Sequence, residues 1–186
     1  MPKIAEIDDT PNPNAVKFTL WEPLTWGITR SYENAEQAQN DALACALFDI
    51  AHVSNVFYVD QWITVTQDGE ADWPALVRLV AVPIRAAPAA DAQTAATVAA
   101  ATHSYADLSP AEQQRLDAID TLLDEQIRPS LKNDGGDLHV IGLDGNQLSV
   151  HYQGACGTCP SSISGTLRSI ENLVKSIEPD IEVVAV

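Results

Sequence analysis

The segment GACGTCPSS, residues 154–162, lies between a predicted strand and a predicted helix, and it decides how the second half of the chain is interpreted. It holds two of the three cysteines of the chain, Cys156 and Cys159. A pair at this spacing can bind a metal, form a disulfide or cycle between thiol and disulfide. The choice among these depends on the elements around the segment and on the composition of the chain.

A capped helix is predicted ahead of this segment. Ser109, Pro110 and Glu112 supply a capping hydroxyl, a proline at the first helical position and an acid three residues after the cap. The helix should bend or end near Pro129, before the turn DGGD at residues 134–137. Its apolar face comprises Leu116, Ile119, Leu122, Leu123 and Ile127.

A β-hairpin is predicted between that turn and the cysteines. We place its turn at the three residues 144–146, with Leu143 opposite Gln147. This register leaves one face of the hairpin apolar and puts His139 opposite His151 on the other face. We expect two solvated histidines there, with a metal-binding pair as the alternative.

A second helix and a closing strand are predicted after the cysteines. Apolar residues recur at helical spacing until Pro179, and residues 181–186 have the composition of a strand. The second half is therefore αββαβ, an α+β domain with a mixed three-stranded sheet. Cys156 and Cys159 lie in the turn between a strand and a helix N-terminus, whose unpaired N–H groups stabilise thiolates.

The first half predicts a separate α+β domain. Its elements are a strand over 16–20, a helix capped by Asn34 and Gln37 that runs to about Ile50, a hairpin over 56–66, and a helix that opens at 72–74. Between the halves, 11 of the 22 residues from Ala86 to Asp107 are alanine, which predicts a linker. The predicted division is 1–85, an Ala-rich linker 86–107, and 108–186.

Composition excludes several classes of function. The formal charge of -16 disfavours binding to nucleic acid or to an anionic membrane, because both need clustered Lys and Arg. The chain has no apolar run long enough to span a bilayer, and its first residues, MPKIAEIDD, match neither a signal peptide nor a transit sequence. We therefore expect a cytoplasmic protein with protein partners.

The number of available thiols indicates a shared site. Zinc and the common iron-sulfur clusters want about four protein ligands, and Cys156 with Cys159 supply two. The third cysteine, Cys45, lies in the apolar run ALACALF, residues 42–48, where a buried helix residue is expected. A second copy of the chain would complete a four-thiolate site around one cluster, partly exposed at the interface and able to leave.

Two other interpretations of the cysteine pair stay open. A zinc ion bridging two copies satisfies the same number of ligands. A thiol-disulfide oxidoreductase also places Cys-x-x-Cys between a strand and a helix. Against the latter, no Trp precedes Cys156, no Pro lies between the cysteines, and the surrounding elements are not expected to form a βαβ unit.

Several short motifs in the two halves are typical of one protein family. In the second half they are IRP at 127–129, DGGD at 134–137 and GACGTCPSS at 154–162; in the first half they are TPNPNAVKF at 10–18, LFDI at 47–50 and ITVT at 63–66. Together they resemble the NifU-like (Nfu) family of iron-sulfur scaffold proteins. The resemblance covers nearly all of the chain except the linker. It departs from the family at residues 20–27, LWEPLTWG, and in the number of tryptophans.

The resemblance implies a non-enzymatic carrier. Such a protein binds a 4Fe-4S cluster between two protomers, becoming a homodimer on cluster binding, and delivers the cluster to apo iron-sulfur proteins. On this chain the implied ligands are Cys156 and Cys159. The first domain would recognise client proteins or other cluster-assembly factors.

Two further expectations concern individual side chains. Replacing Cys156 or Cys159 with serine should abolish cluster retention and leave the fold intact, because the core is expected to be apolar without them, whereas Cys45→Ser should be silent. For the tryptophans we expect core packing, with an exposed recognition patch as the alternative. They are Trp21, Trp26, Trp62 and Trp73.

Overall fold

The computed structural model describes residues 3–90, 109–157 and 160–186, and only the backbone of residues 160–164. The chain divides into two compact units, with the boundary after Thr102. Most of the linker predicted at 86–107 lies outside the described residues. No helix in the part of the chain described is long and apolar enough to cross a bilayer.

The first unit is an antiparallel sheet of five strands with two helices. The strand order is β1-β2-β5-β4-β3, and every neighbouring pair is antiparallel. The elements are β1 Ile4–Asp9, β2 Ala15–Leu20, β3 Arg30–Tyr32, α1 Ala42–Phe48, β4 Val53–Val59, β5 Trp62–Gln67 and α2 Trp73–Ala86. Its core includes Phe18, Leu47, Val56, Ile63, Val80 and Ile84, all at most 3% exposed.

Helix α1 begins later than the sequence indicates. The predicted contact forms, since Gln37 N donates to Asn34 Oδ1 at 3.0 Å, but residues 35–40 are turns. The helix is capped instead by Asp41, whose Oδ1 accepts from Ala44 N at 2.9 Å. The predicted start is therefore wrong, because the polar run before Asp41 offers little apolar surface to hold a helix against the sheet.

The second unit confirms the predicted α+β order with one added short helix. Its elements are α3 Pro110–Gln126, α4 Arg128–Asn133, β6 Gly136–Asp144, β7 Gln147–Gly154, α5 Pro160–Val174 and β8 Glu182–Ala185. The sheet order is β6-β7-β8, antiparallel and then parallel, so the mixed sheet is confirmed. The capping box of Ser109 and Glu112 forms at α3.

The turn of the β6–β7 hairpin is one residue shorter than predicted. Asp144 pairs with Gln147, which leaves a two-residue turn, and Leu143 pairs with Leu148 rather than Gln147. A register shift between Val140 and Gly142 then restores the predicted alignment. A bulge of this kind inserts one residue in one strand, and it compensates for the shorter turn.

Candidate functional site

Cys156 lies in a turn between β7 and α5, as predicted. Strand β7 ends at Gly154, whose φ of 65° favours glycine, and α5 begins at Pro160. The Cys156 side chain is 3% exposed and belongs to the apolar core of the second unit. Cys159 lies outside the described residues.

The Cys156 thiol packs directly against Gly136. A Cβ built on Gly136 would lie 2.6 Å from Cys156 Sγ and 2.6 Å from the Gln153 carbonyl oxygen, closer than real Cβ atoms come to any neighbour. Only glycine therefore fits at this position without displacing the sulfur. Residue 136 fixes where the thiol lies.

The turn that carries Gly136 is tied to the cysteine turn by backbone contacts. Ala155 N donates to the Gly135 carbonyl oxygen at 3.1 Å, and Gly136 pairs with Gly154 across the sheet. Gly135 has a φ of 81°, which few residues other than glycine adopt. The two glycines of DGGD thus form a platform beneath the cysteine turn.

Arg128 holds this platform to helix α3. It is 9% exposed; its Nε donates to the Leu138 carbonyl oxygen at 3.2 Å, and its Nη2 donates to Asp120 Oδ1 at 2.9 Å. Its Nη1 donates to Asp124, and its Nε lies 3.8 Å from Asp137 Oδ1. One guanidinium therefore connects α3, α4 and the start of β6.

Asp137, next to Gly136, is a buried carboxylate. Burial raises its pKa, and the Leu138 N–H donor with the Lys132 and Arg128 charges only partly opposes that rise. Leu138 N donates to Asp137 Oδ1 at 2.8 Å, and Lys132 Nζ lies 4.0 Å from Oδ2. The side chain is 6% exposed. The hydrogen bond and the positive charges around Asp137 thus do not fully offset the cost of burying its negative charge beside the cysteine turn.

Cys45 takes no part in this site. It lies on α1, as predicted, but is half-buried rather than fully buried, and its Sγ donates to the Ala38 carbonyl oxygen at 3.0 Å. It belongs to the first unit, where its thiol has a local hydrogen-bond partner.

The two histidines of the hairpin face each other as predicted. His139 is exposed and His151 half-exposed, on the face of the sheet opposite the core, so the prediction of two solvated histidines is confirmed. His151 Nδ1 lies 2.8 Å from the Val186 carbonyl oxygen. Among the described residues, one group of three potential metal-ligating side chains lies close together, the exposed His52, Asp68 and Glu70, which the sequence did not suggest.

The tryptophans divide into two pairs. Trp21 and Trp26 are 69% and 44% exposed, so the prediction of core packing is wrong for both. The loop between β2 and β3 that carries them is held by Trp21 N, which donates to the Lys3 carbonyl oxygen, and by Trp26 Nε1, which donates to the Ala90 carbonyl oxygen at 3.3 Å. The ring centroids of Trp62 and Phe57 lie 5.2 Å apart with the ring planes tilted by 46°, and Trp73 Nε1 donates to the Pro13 carbonyl oxygen.

The surroundings of the cysteine turn differ from two expectations. Strand β8 runs parallel to β7, so β7, α5 and β8 form a βαβ unit that was predicted to be absent. The core was expected to be apolar without the cysteines, yet Cys156 is part of it. The first error arises because the pairing of β8 with β7 is a long-range choice, and the second because the Cys156 thiol packs against Gly136 on β6.

Family models match both units. The model described as Scaffold protein Nfu/NifU N terminal matches residues 4–88, and the NifU-like domain model matches residues 119–185. The chain is 32% identical over 178 residues to the human "NFU1 iron-sulfur cluster scaffold homolog, mitochondrial", with 95% of this chain and 69% of that protein covered. The chain belongs to the Nfu/NifU scaffold family.

Other relatives of this Nfu/NifU chain are similarly distant. It is 32% identical to "NifU-like protein 5, mitochondrial" of Arabidopsis thaliana, with 91% of this chain and 62% of that protein covered. The X-ray structure of protein SAV1430 from Staphylococcus aureus is 27% identical over 44% of this chain and 98% of its own, with a TM-score of 0.39. The chain thus spans 62% to 69% of the length of the two curated relatives named here.

Sequence reasoning found the cysteines of this Nfu/NifU chain but gave no role to the residues beneath them. Arg128 and Gly136 were quoted as parts of family motifs only. An arginine followed by Pro and, a few residues later, by two adjacent glycines could have indicated a fixed turn. The contact between Gly136 and Cys156 could not be read from spacing, because 20 residues separate them in the chain.

Proposed function

We propose that this chain is an iron-sulfur cluster scaffold and carrier without catalytic activity of its own. It binds a 4Fe-4S cluster between two copies through Cys156 and Cys159 and passes the cluster to apo-proteins. The observation that carries the proposal is the cysteine turn, which packs on the glycine platform just before the N-terminus of α5. It occurs in a chain of the Nfu/NifU family.

The supply of thiols supports sharing between two copies. Thiolate sulfur suits iron-sulfur clusters and zinc, and each needs about four ligands. Each copy offers Cys156 and Cys159, while Cys45 donates to a carbonyl oxygen in the first unit. Two copies therefore supply four thiolates, and the cluster is cargo rather than a permanent part of either copy.

Burial of Cys156 gives cluster loading a structural requirement. At 3% exposure the sulfur is not accessible to iron or to a partner copy. Residues 155–157 must therefore open on the solvent side of the sulfur before the thiolate can bind, and we propose that its core-side neighbours on β6 and β7 stay in place. A turn that opens for loading can open again for release, which suits a carrier.

The first domain is proposed to recognise client proteins or other assembly factors. Two exposed tryptophans, Trp21 and Trp26, support a contact surface there, since such side chains are enriched in protein interfaces. We keep the division 1–85, 86–107 and 108–186 as part of the proposal. We also propose a cytoplasmic location. The two named relatives carry mitochondrial names, so cell fractionation has to distinguish the two locations.

Anaerobic native mass spectrometry after incubation with iron and sulfide tests the proposal. We expect a dimer with one 4Fe-4S cluster, loss of cluster and dimer in Cys156→Ala or Cys159→Ala, and no change in the matched control Cys45→Ala. Alanine is preferred to serine at position 156, because serine would bury a hydroxyl in the core. A dimer that holds zinc alone contradicts the proposal.

A thiol-disulfide oxidoreductase is the second candidate, favoured by the βαβ unit around the turn. It requires Cys156 and Cys159 to form a disulfide and to exchange it with a dithiol substrate. A monomer that binds no iron, carries an intact disulfide and catalyses such exchange would put this candidate first.

A further inference from the structure

Tyr152 carries a buried hydroxyl that the fold does not explain. The residue lies on the core face of β7, two residues before the strand ends, and is 5% exposed. Among the described residues its Oη has no hydrogen-bond partner. A phenylalanine would fill the same space without burying an unpaired donor, so the hydroxyl is unfavourable for the apo fold.

The other unpartnered polar side chains differ from Tyr152 in their location. Within the part of the chain described, they are Asn55 Oδ1, Thr64 Oγ1 and Thr66 Oγ1, all on strands β4 and β5 of the first unit. Tyr152 is the one described case in the second unit, and it lies in the strand that leads into the cysteine turn.

Cys156 is the neighbour that could accept a hydrogen bond from this hydroxyl. The two side chains belong to the same buried cluster. The cysteine turn folds back over Tyr152, since a Cβ built on Gly157 would lie 2.8 Å from the Tyr152 carbonyl oxygen. Gly136, which touches Cys156 Sγ, pairs with Gly154, and Tyr152 pairs with Leu138 on the same buried face of the hairpin. The sulfur therefore lies over the residue pair next to Tyr152.

We propose that Tyr152 is a positioning residue whose O–H donates a hydrogen bond to Cys156 Sγ once that sulfur is an iron-bound thiolate. The inference rests on the proposed function, because it takes Cys156 as a cluster ligand. A thiolate accepts a stronger hydrogen bond than a thiol, so the donor gains its partner on loading. The bond withdraws charge from the sulfur and makes the cluster easier to reduce.

The test compares wild type, Tyr152→Phe and a matched control, Thr64→Val, each loaded with iron and sulfide under anaerobic conditions. Thr64→Val also removes a buried, unpartnered hydroxyl, but from the first unit. The first readout is the reduction midpoint of the cluster. We expect it to move to a more negative potential in Tyr152→Phe and to match wild type in Thr64→Val.

The second readout is the iron-sulfur stretching band of the loaded protein in light and heavy water. A donated O–H makes the Fe–S(Cys) band sensitive to deuterium, and we expect Tyr152→Phe to lose part of that isotope shift. The third readout is the denaturation midpoint of the apo-protein, which we expect to be unchanged or higher in Tyr152→Phe.

Each contrary outcome overturns a defined statement. If Tyr152→Phe keeps the wild-type midpoint and isotope shift in a fully loaded protein, the hydrogen bond to Cys156 is absent and the proposed function stands. If the apo-protein loses stability on the substitution, the hydroxyl already has a structural partner and the inference fails. If wild type binds no cluster at all, the proposed function fails and this inference fails with it.

Discussion

The two units each hold a carboxylate, half-buried Asp41 and buried Asp137, in opposite ways. Burial disfavours ionisation of Asp41 in the first unit, but donors from Ala44 N, Tyr58 and Tyr32 outweigh it and hold its pKa below the usual range. Tyr32 Oη donates to Asp41 at 2.9 Å, and Tyr58 Oη donates to the same oxygen. For Asp137 in the second unit, burial raises the pKa by more than the Leu138 N–H donor and the neighbouring positive charges lower it, so its pKa is raised.

The difference separates a group that maintains the fold from one that serves the site. Asp41 caps α1, and its charge is satisfied by Ala44, Tyr58 and Tyr32, which belong to or pack against the core of the first unit. Asp137 lies beside Gly136 and Arg128, which locate the cysteine turn. Incomplete compensation of charge is thus found where the chain is proposed to bind its cargo, as is common near functional sites.

Of the substitutions considered, removing Arg128 should change the free energy of unfolding most. Arg128→Met leaves Asp120 and Asp137 without their buried partner, and we expect it to cost the second unit about 3 to 5 kcal/mol. Denaturant unfolding followed by amide signals of β6 and β7 measures the loss. The control Arg115→Met removes a half-exposed pair with Glu178, and it should cost about 1 kcal/mol or less. Equal losses in the two variants would contradict the role of Arg128.

Enlarging Gly136 should have the next largest effect. The new Cβ of Gly136→Ala overlaps Cys156 Sγ and the Gln153 carbonyl oxygen, so we expect a loss of about 1 to 3 kcal/mol and weaker cluster retention. Gly142→Ala is the matched control on the same strand, because its Cβ would meet nothing within 4 Å. Unfolding and iron content of both variants, measured side by side, test the platform. Normal loading of Gly136→Ala would show that the thiol position is not critical.

The dependence of stability on pH sharpens the comparison between the two carboxylates. Asp41, with its lowered pKa, contributes stability above about pH 3.9, the usual aspartate value, and loses it as the pH falls further. Asp137, with its raised pKa, costs stability as the pH rises from about 3.9 through its own pKa. At pH 7 we expect Asp41→Asn to destabilise by about 1 to 2 kcal/mol and Asp137→Asn to stabilise.

Both asparagine variants are to be measured by denaturant unfolding at several pH values. The loss in Asp41→Asn should fade below about pH 3.9, and the gain in Asp137→Asn should fade as the pH falls towards the same value. Changes of the same sign at pH 7 would refute the contrast between the units.

The smallest effect is expected at the exposed tryptophan of the first unit. Trp21 is 69% exposed, so Trp21→Ala should change the free energy of unfolding by less than about 0.5 kcal/mol. If the ring contacts clients, cluster transfer slows while unfolding and cluster loading stay the same. A large loss of stability would instead mean that the ring supports the fold.

The sequence predicted elements that depend on local chemistry. The capping box at Ser109 and the histidine pair of the hairpin follow from neighbouring residues or from a short register, and both are confirmed. Strands β1 and β3 were missed, because β1 is largely acidic and β3 has three residues. The parallel return of β8 beside β7 is a long-range choice that local patterns do not determine. Local patterns also do not show that Gly136 packs against the Cys156 thiol, which is 3% exposed, so exposure of the thiol was misjudged.

The pairing of β8 has a consequence for motion on slow timescales. Among the described strands β8 pairs with β7 alone, from Gln147 to Val150. This pairing holds the chain to the sheet after it has passed through the cysteine turn and α5. A short edge strand opens at a lower free energy than a hairpin of local contacts, so the amides of β8 should exchange with deuterium before those of β6. Partial unfolding of the second unit is therefore expected to begin at β8, while the hairpin stays intact with Gly136 against Cys156 Sγ.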